Sequence, residues 1–156
     1  MSTPTSYFER LQRGEAAPPP VSTLLGGRID SVDVKAGTLE SSYVATEAFL
    51  NPAGQVQGGM LGAMLDDVTA FLVTATLAEN EYCATLNLNL SFLRPANAGS
   101  IVGRSSLIRR GKGVCHVHGE LVQDGKQVAI ATATCMVMAG DGGALRDSSG
   151  FRRAHA

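Results

Sequence analysis

The pattern of apolar and polar positions is most regular between residues 85 and 92. There Leu86, Leu88, Leu90 and Phe92 alternate with Thr85, Asn87, Asn89 and Ser91 until Arg94-Pro95 ends the run. A period of two marks a strand with one apolar and one polar face, and it puts Thr85 on the polar face with the asparagines. Three more strands follow at 101–109, 114–122 and 127–138, the last two joined by Asp124-Gly125, a dipeptide suited to a tight type I′ turn. Upstream, alternating segments at 28–34 and 38–45 flank Lys35-Ala36-Gly37 and read as a hairpin, and Asn51-Pro52-Ala53-Gly54 reads as a turn.

From Gly58 to Thr76 the period changes. The stretch GGMLGAMLDDVTAFLVTAT is apolar on most faces and long enough for about five helical turns, so it predicts a buried helix. Its glycines lower helix propensity, and Gly62 in particular is expected to admit another backbone closely. Near the start, Tyr7, Phe8 and Leu11 have helical spacing before Gly14 and the Pro18-Pro19-Pro20 linker. The chain thus divides into a short helix with a stiff linker at 1–20, a domain at 21–139 and an aperiodic, disordered tail at 140–156. One long helix and about six strands are best arranged as a two-layer α+β fold, a curved antiparallel sheet wrapped around the helix.

Composition narrows the function classes. The 156 residues carry 44% hydrophobic and 17% charged side chains, with 13 Lys+Arg against 14 Asp+Glu. This is the make-up of one soluble domain with no basic field, so neither a membrane nor nucleic acid is an expected partner. Three widely spaced cysteines argue for a reducing compartment, and the charges within the first fifteen residues leave no apolar run for a leader; a cytoplasmic location is expected.

Candidate chemistry concentrates between Asn51 and Ala70. Gly58-Gly59 at a helix start offers unpaired backbone N–H groups beside the positive end of the helix dipole, which suits a carbonyl oxygen gaining negative charge. Asp66 and Asp67 sit mid-helix among apolar residues; neighbours on a helix point about 100° apart, so one of them is expected on a wet stripe. Gly58 and Asp66 are separated by about 12 Å along a straight helix, so acting on one carbonyl requires two chains paired across a twofold axis, with Gly62 at the crossing. Arg109-Arg110-Gly111-Lys112 is the densest basic cluster, and its glycine allows a backbone nest. His116, His118 and Glu120 recur at alternate strand positions, about 6.6 Å apart, too far to share one ion, so they read as an outer-face stripe and no metal is expected.

The combination N-P-x-G-x-V-x-G-G, the L-D-D helix, the strand ending in R-P-A and the Arg-Arg-Gly-Lys turn resembles the hotdog-fold acyl-CoA thioesterases of the PaaI-like, phenylacetic acid degradation group, over residues 20–138. The resemblance implies hydrolysis of an acyl-CoA thioester to a free acid and CoA. In it, Gly58 N–H and Asn51 bind the thioester oxygen, Asp66 of the partner subunit serves as base or nucleophile, and Asp67 is a bystander. Thr85 takes the position of a residue that holds the attacking water. Arg110, Gly111 and Lys112 would meet the phosphates of CoA, which is part of the substrate, so no separate cofactor is implied. A homodimer, assembled further as a dimer of dimers, is the implied state. Gln57 stands where the family usually has His; it can hydrogen-bond to a carbonyl or place a loop but cannot exchange a proton.

Two other readings share this fold. A binding module for acyl-CoA or acyl carriers would keep the pocket without turnover. A hydratase would need a His paired with a carboxylate, and His116, His118 and His155 all lie away from the candidate site. The acyl pocket is expected to include Met60, Met64, Phe71 and Leu90.

Overall fold

The computed structural model describes residues 6–140, and the tail expected to be disordered lies, beyond Gly140, outside them. Ser6 caps helix α1 (Tyr7–Gln12) in a reciprocal capping box with Glu9. The proline run does not simply continue as a linker. Pro20 opens a second short helix, α2 (Pro20–Leu24), where its missing N–H costs nothing. Strands β1 (Arg28–Asp33) and β2 (Thr38–Ala45) form the expected hairpin, followed by a turn of 3-10 helix at Glu47–Phe49 and by α3 (Gly58–Ala75). Strands β3 (Glu81–Phe92), β4 (Gly99–Arg110), β5 (Val114–Gln123) and β6 (Lys126–Ala139) complete the chain. Asp124 and Gly125 both have positive φ, 51° and 72°, as a type I′ turn requires.

The strands make one antiparallel sheet in the order β1-β2-β4-β5-β6-β3. α3 packs on its inner face and buries Leu61, Met64, Leu65, Val68, Leu72 and Val73 against inward residues such as Tyr43, Ile101, Val117 and Leu121. By length and composition this helix could span a membrane, but half of it is buried inside the fold. This helix-on-sheet arrangement is the α+β hotdog architecture. Tight packing is achieved by glycines in the sheet. A Cβ on Gly119 of β5 would lie 2.7 Å from Thr69 Cγ2, and one on Gly103 of β4 would lie 2.7 Å from the Tyr43 ring. Gly62, expected at a helix crossing between two chains, faces a side chain within its own. The atom a Cβ there would meet is Leu90 Cδ1 of β3, at 3.1 Å.

The two sheet edges differ. β1 has six residues, a register shift at Asp30 and a rim of charge, features that discourage further pairing. β3 has twelve residues and exposes Leu86 and Phe92 beside its unpaired edge.

Candidate active site

Asp66 on α3 and Thr85 on β3 meet where helix and sheet face one another. Thr85 Oγ1 donates to Asp66 Oδ1 at 2.9 Å, and both residues are half-buried. Strict alternation along β3 would send Thr85 outward with Asn87 and Asn89, but a β-bulge intervenes. Thr85 pairs with Cys135 and Asn87 with Thr134, so Leu86 is the extra residue and the facing of the strand reverses across it. Thr85 therefore shares the inward row with Leu88 and Leu90, whose partners Ala133 and Ala131 are buried, while Leu86 is left 57% exposed. The outward placement read from the alternation is corrected by this single inserted residue.

A cleft of about 270 Å³ lies beside the Asp66 carboxylate, walled by Ala63, Phe71 and Cys83 and roofed by Tyr7, Pro19 and Val21. The roof belongs to the N-terminal segment, which the motif pattern left out of the site. Phe71 lines the cleft as expected of a pocket residue; Met64 does not, being fully buried in the core.

The start of α3 is the second half of the site. Gln57 is its N-cap by backbone only; its carbonyl accepts from Met60 N at 2.8 Å, while its exposed side chain makes no capping bond. Gly58 N–H and Gly59 N–H have no acceptor among the described residues, so two donors lie open at the positive end of the helix dipole. The preceding loop is pinned by Gln57 N to Phe49 O and Val56 N to Ala96 O, both 2.8 Å. Asn51 Oδ1 accepts from Ala53 N at 2.9 Å and Gln55 N at 3.2 Å, which commits its oxygen to the loop and leaves its NH₂ group without an acceptor among the described residues. A cavity of about 350 Å³ opens at this end between Gly58, Phe92, Leu93 and Arg94. Eight residues of helix separate Gly58 from Asp66, about 12 Å, so one chain carries both halves without joining them.

Asp67, the bystander of the pair by resemblance, is not a water-facing residue but a tied one. Its carboxylate accepts from Ser22 Oγ at 2.7 Å and Tyr43 Oη at 2.9 Å, tying α2, β2 and α3 together. Burial raises its pKa above the ordinary carboxylate value, partly offset by the two hydroxyls, and burial with the Asp67 charge pushes the Tyr43 hydroxyl upward as well. Because the folded state holds the Asp67 proton more tightly than the unfolded chain, this site's contribution to stability is complete below about pH 4 and declines as pH rises through its folded pKa. Urea unfolding against pH should show that decline from about pH 4 upward in the wild type and lose this component in Asp67→Asn. Sequence spacing could single out the Asp pair, but nothing local linked Asp67 to Ser22 or Tyr43.

The basic turn is partly committed. Arg110 donates Nε to Thr76 Oγ1 at 3.0 Å, a second nitrogen to the Gly111 carbonyl, and reaches Glu81 Oε2 at 3.4 Å. Gly111 N–H donates to Val114 O at 2.9 Å, so the expected nest does not have that N–H to offer; Arg109 and Lys112 are exposed. The pairing chain Thr85–Cys135–Cys115–Arg110 puts the turn in the same row of the sheet as Thr85, three strand spacings or about 14 Å away. The outer-face stripe is as read: Cys115, Val117 and Gly119 point inward, while Glu120 meets Gln127 at 2.6 Å and His116 lies 3.4 Å from Thr134 Oγ1. Burial raises all three thiols, Cys135 to about 11, which makes them poor nucleophiles.

The motif-bearing half of the molecule also matches a family model, that of the acyl-CoA thioesterase N-terminal domain, over residues 50–136. The chain belongs to this family. It is 69% identical to a phenylacetic acid degradation-related protein from Ralstonia eutropha JMP134, with a TM-score of 0.83 over 84% of this chain and 99% of that one. The fold is shared with PaaI of the Escherichia coli phenylacetic acid degradation operon, at 24% identity and a TM-score of 0.69 over 76% of this chain and 84% of that one. Ta0293 of Thermoplasma acidophilum, which carries an esterase name, is 27% identical over 84 residues, 54% of this chain and 63% of that protein's length. Thioester hydrolysis is the chemistry of the family, and the chain is a PaaI-like member of it by sequence and by its hotdog architecture.

Proposed function

We propose that the substrate is an acyl-CoA thioester and that Asp66 and Thr85 act on a carbonyl held by Gly58 of a second subunit. The observation that carries this reading is the hydrogen bond from Thr85 to a half-buried carboxylate beside a cleft. Thr85 holds Asp66 in place and leaves its own lone pairs to accept from water. Asp66 removes a proton from that water as its oxygen attacks the thioester carbon. The developing oxyanion is held by the open Gly58 N–H, with Asn51 assisting and Gln57 beside it at the loop end. The tetrahedral species then collapses, the carbon–sulfur bond breaks, and CoA leaves as the thiolate and takes up a proton.

The second subunit follows from the 12 Å gap, and the unpaired β3 edge supplies the contact. Two copies joined along β3 extend one sheet and set two α3 helices antiparallel, Gly58 of one toward Asp66 of the other. Lys112, exposed beside Arg109 and the engaged Arg110 and Gly111, meets the CoA phosphates in this reading. Two comparisons test this. Thr85→Val should lower kcat by about tenfold to a hundredfold with a smaller effect on KM; an unchanged kcat removes Thr85 from the reaction. The same acyl group carried on N-acetylcysteamine should lose kcat/KM against the CoA ester, and Lys112→Ala should narrow that gap; equal rates for both carriers would mean that the CoA moiety is not recognised.

A further inference from the structure

Two cavities share one wall. The cleft beside Asp66 holds about 270 Å³, and a larger cavity of about 880 Å³ lies between the N-terminal segment and β1, β2 and α3. Asp67 and Phe71 line both, so these two residues, one helical turn apart on α3, stand between them. The N-terminal segment divides in the same way. Tyr7 and Pro19 line the cleft, whereas Leu11 and Pro18 line the larger cavity. Phe8, between Tyr7 and Leu11 on α1, is 4% exposed and meets Phe71 edge to face, with ring centroids 6.5 Å apart and planes at 62°.

The two wall residues are held differently. Asp67 is tied by hydrogen bonds from Ser22 and Tyr43, so removing it would leave two hydroxyls without their acceptor. Phe71 is an apolar ring held by packing, 8% exposed, and a smaller side chain there would leave an opening without an unpaired polar group. The volume on the Asp66 side is below the about 300–1,000 Å³ usual for a site that buries a drug-sized ligand, so it suits a compact acyl group. A longer chain must turn into water or pass Phe71, and each methylene left in water forgoes about a fourfold gain in binding. Beyond Phe71, Leu11, Ala17 and Ile29 offer apolar surface, and the carboxylates Glu15 and Asp30 are exposed to solvent.

We propose that Phe71, backed by Phe8, ends the acyl pocket: it admits compact acyl groups to the Asp66 cleft and shuts longer straight chains out of the cavity behind it. The proposal rests on the acyl-CoA reading of the Asp66 site and adds to it the residue that sets acyl length.

The test follows two series against chain length in the wild type, Phe71→Ala and Phe71→Leu, with thermal unfolding to establish that each variant is folded. One series is thiol release from butanoyl-, octanoyl- and dodecanoyl-CoA. The other is calorimetric binding of the matching S-alkyl-CoA thioethers, which have no carbonyl to attack. The wild type should favour the octanoyl over the dodecanoyl ester. Phe71→Ala should raise the dodecanoyl-to-octanoyl ratio of kcat/KM at least tenfold and move the thioether affinities in the same direction. Phe71→Leu, a smaller loss of volume, should move both ratios by less. A wild type that binds the dodecyl thioether more tightly than the octyl one, or ratios unchanged in a folded variant, would overturn the proposal. A shifted thioether ratio without thiol release from any ester would uphold Phe71 as the end of the pocket and overturn hydrolysis. Thiol release with an unshifted ratio would do the reverse.

Discussion

Asp66→Asn should lower turnover of the best acyl-CoA substrate by about a hundredfold to ten-thousandfold, the range supplied by a positioned general base. The change is nearly isosteric, and an Asn carbonyl can still accept the hydrogen bond from Thr85, so the architecture around it has no reason to change. What is lost is the ability to take a proton from water or to attack the carbonyl. Steady-state thiol release, with thermal unfolding as the control, reads this directly. A loss of activity accompanied by an unchanged unfolding midpoint assigns the carboxylate to the chemistry. Full activity in a folded Asp66→Asn protein would remove it from the mechanism.

The second large effect is on stability. Gly119→Val should destabilise the protein by about 1–3 kcal/mol, because its Cβ alone would sit 2.7 Å from Thr69 Cγ2 and 3.4 Å from Leu65 Cδ2 on the fully buried face of α3. For a chain of this size that corresponds to a fall in Tm of about 3–10 °C. Thr69→Ser removes the obstructing methyl while keeping the hydroxyl that donates to Leu65 O at 2.8 Å, so the double variant should recover part of the loss. Strict additivity of the two changes would show that the Gly119–Thr69 contact is not the cause.

These residues also show how far the chain can be read without its structure. The strands were legible because burial on one face imposes a period of two, and the long helix because its apolar run is longer than a strand. The open donors at the start of α3 were legible for a local reason: Asn51, Gln57, Gly58 and Gly59 lie within nine residues, and a glycine pair after a turn exposes N–H groups wherever it occurs. Thr85 was only half legible. The resemblance singled it out, but alternation placed it outward, since a bulge at Leu86 changes the facing of a strand without any glycine or proline to announce it. The environment of Asp67 was not legible at all. It depends on Ser22 and Tyr43, which are 45 and 24 residues away in the chain. The same holds for Arg110, whose density of charge suggested a ligand while its partners Thr76 and Glu81 come from other elements.

The glycines separate in the same way. Gly62 attracted attention because it interrupts a helix, yet the contact there is with one leucine side chain of β3. Gly119, hidden in an ordinary strand pattern, is where an added Cβ would lie 2.7 Å from the helix side chain of Thr69. Close approach between layers is a property of the pair of surfaces, so a glycine's meaning depends on what the fold places opposite it.

The central claim is that a half-buried Asp66, held by Thr85, hydrolyses an acyl-CoA thioester. Its most direct test is thiol release from aromatic, short, medium and long acyl-CoA esters by the wild type, with Asp66→Asn alongside. The expected result is saturable release from at least one ester that falls by two orders of magnitude or more in the variant. No release from any ester by folded protein that still binds acyl-CoA would contradict hydrolysis and leave a binding protein whose Gln57 is the first residue to change to His.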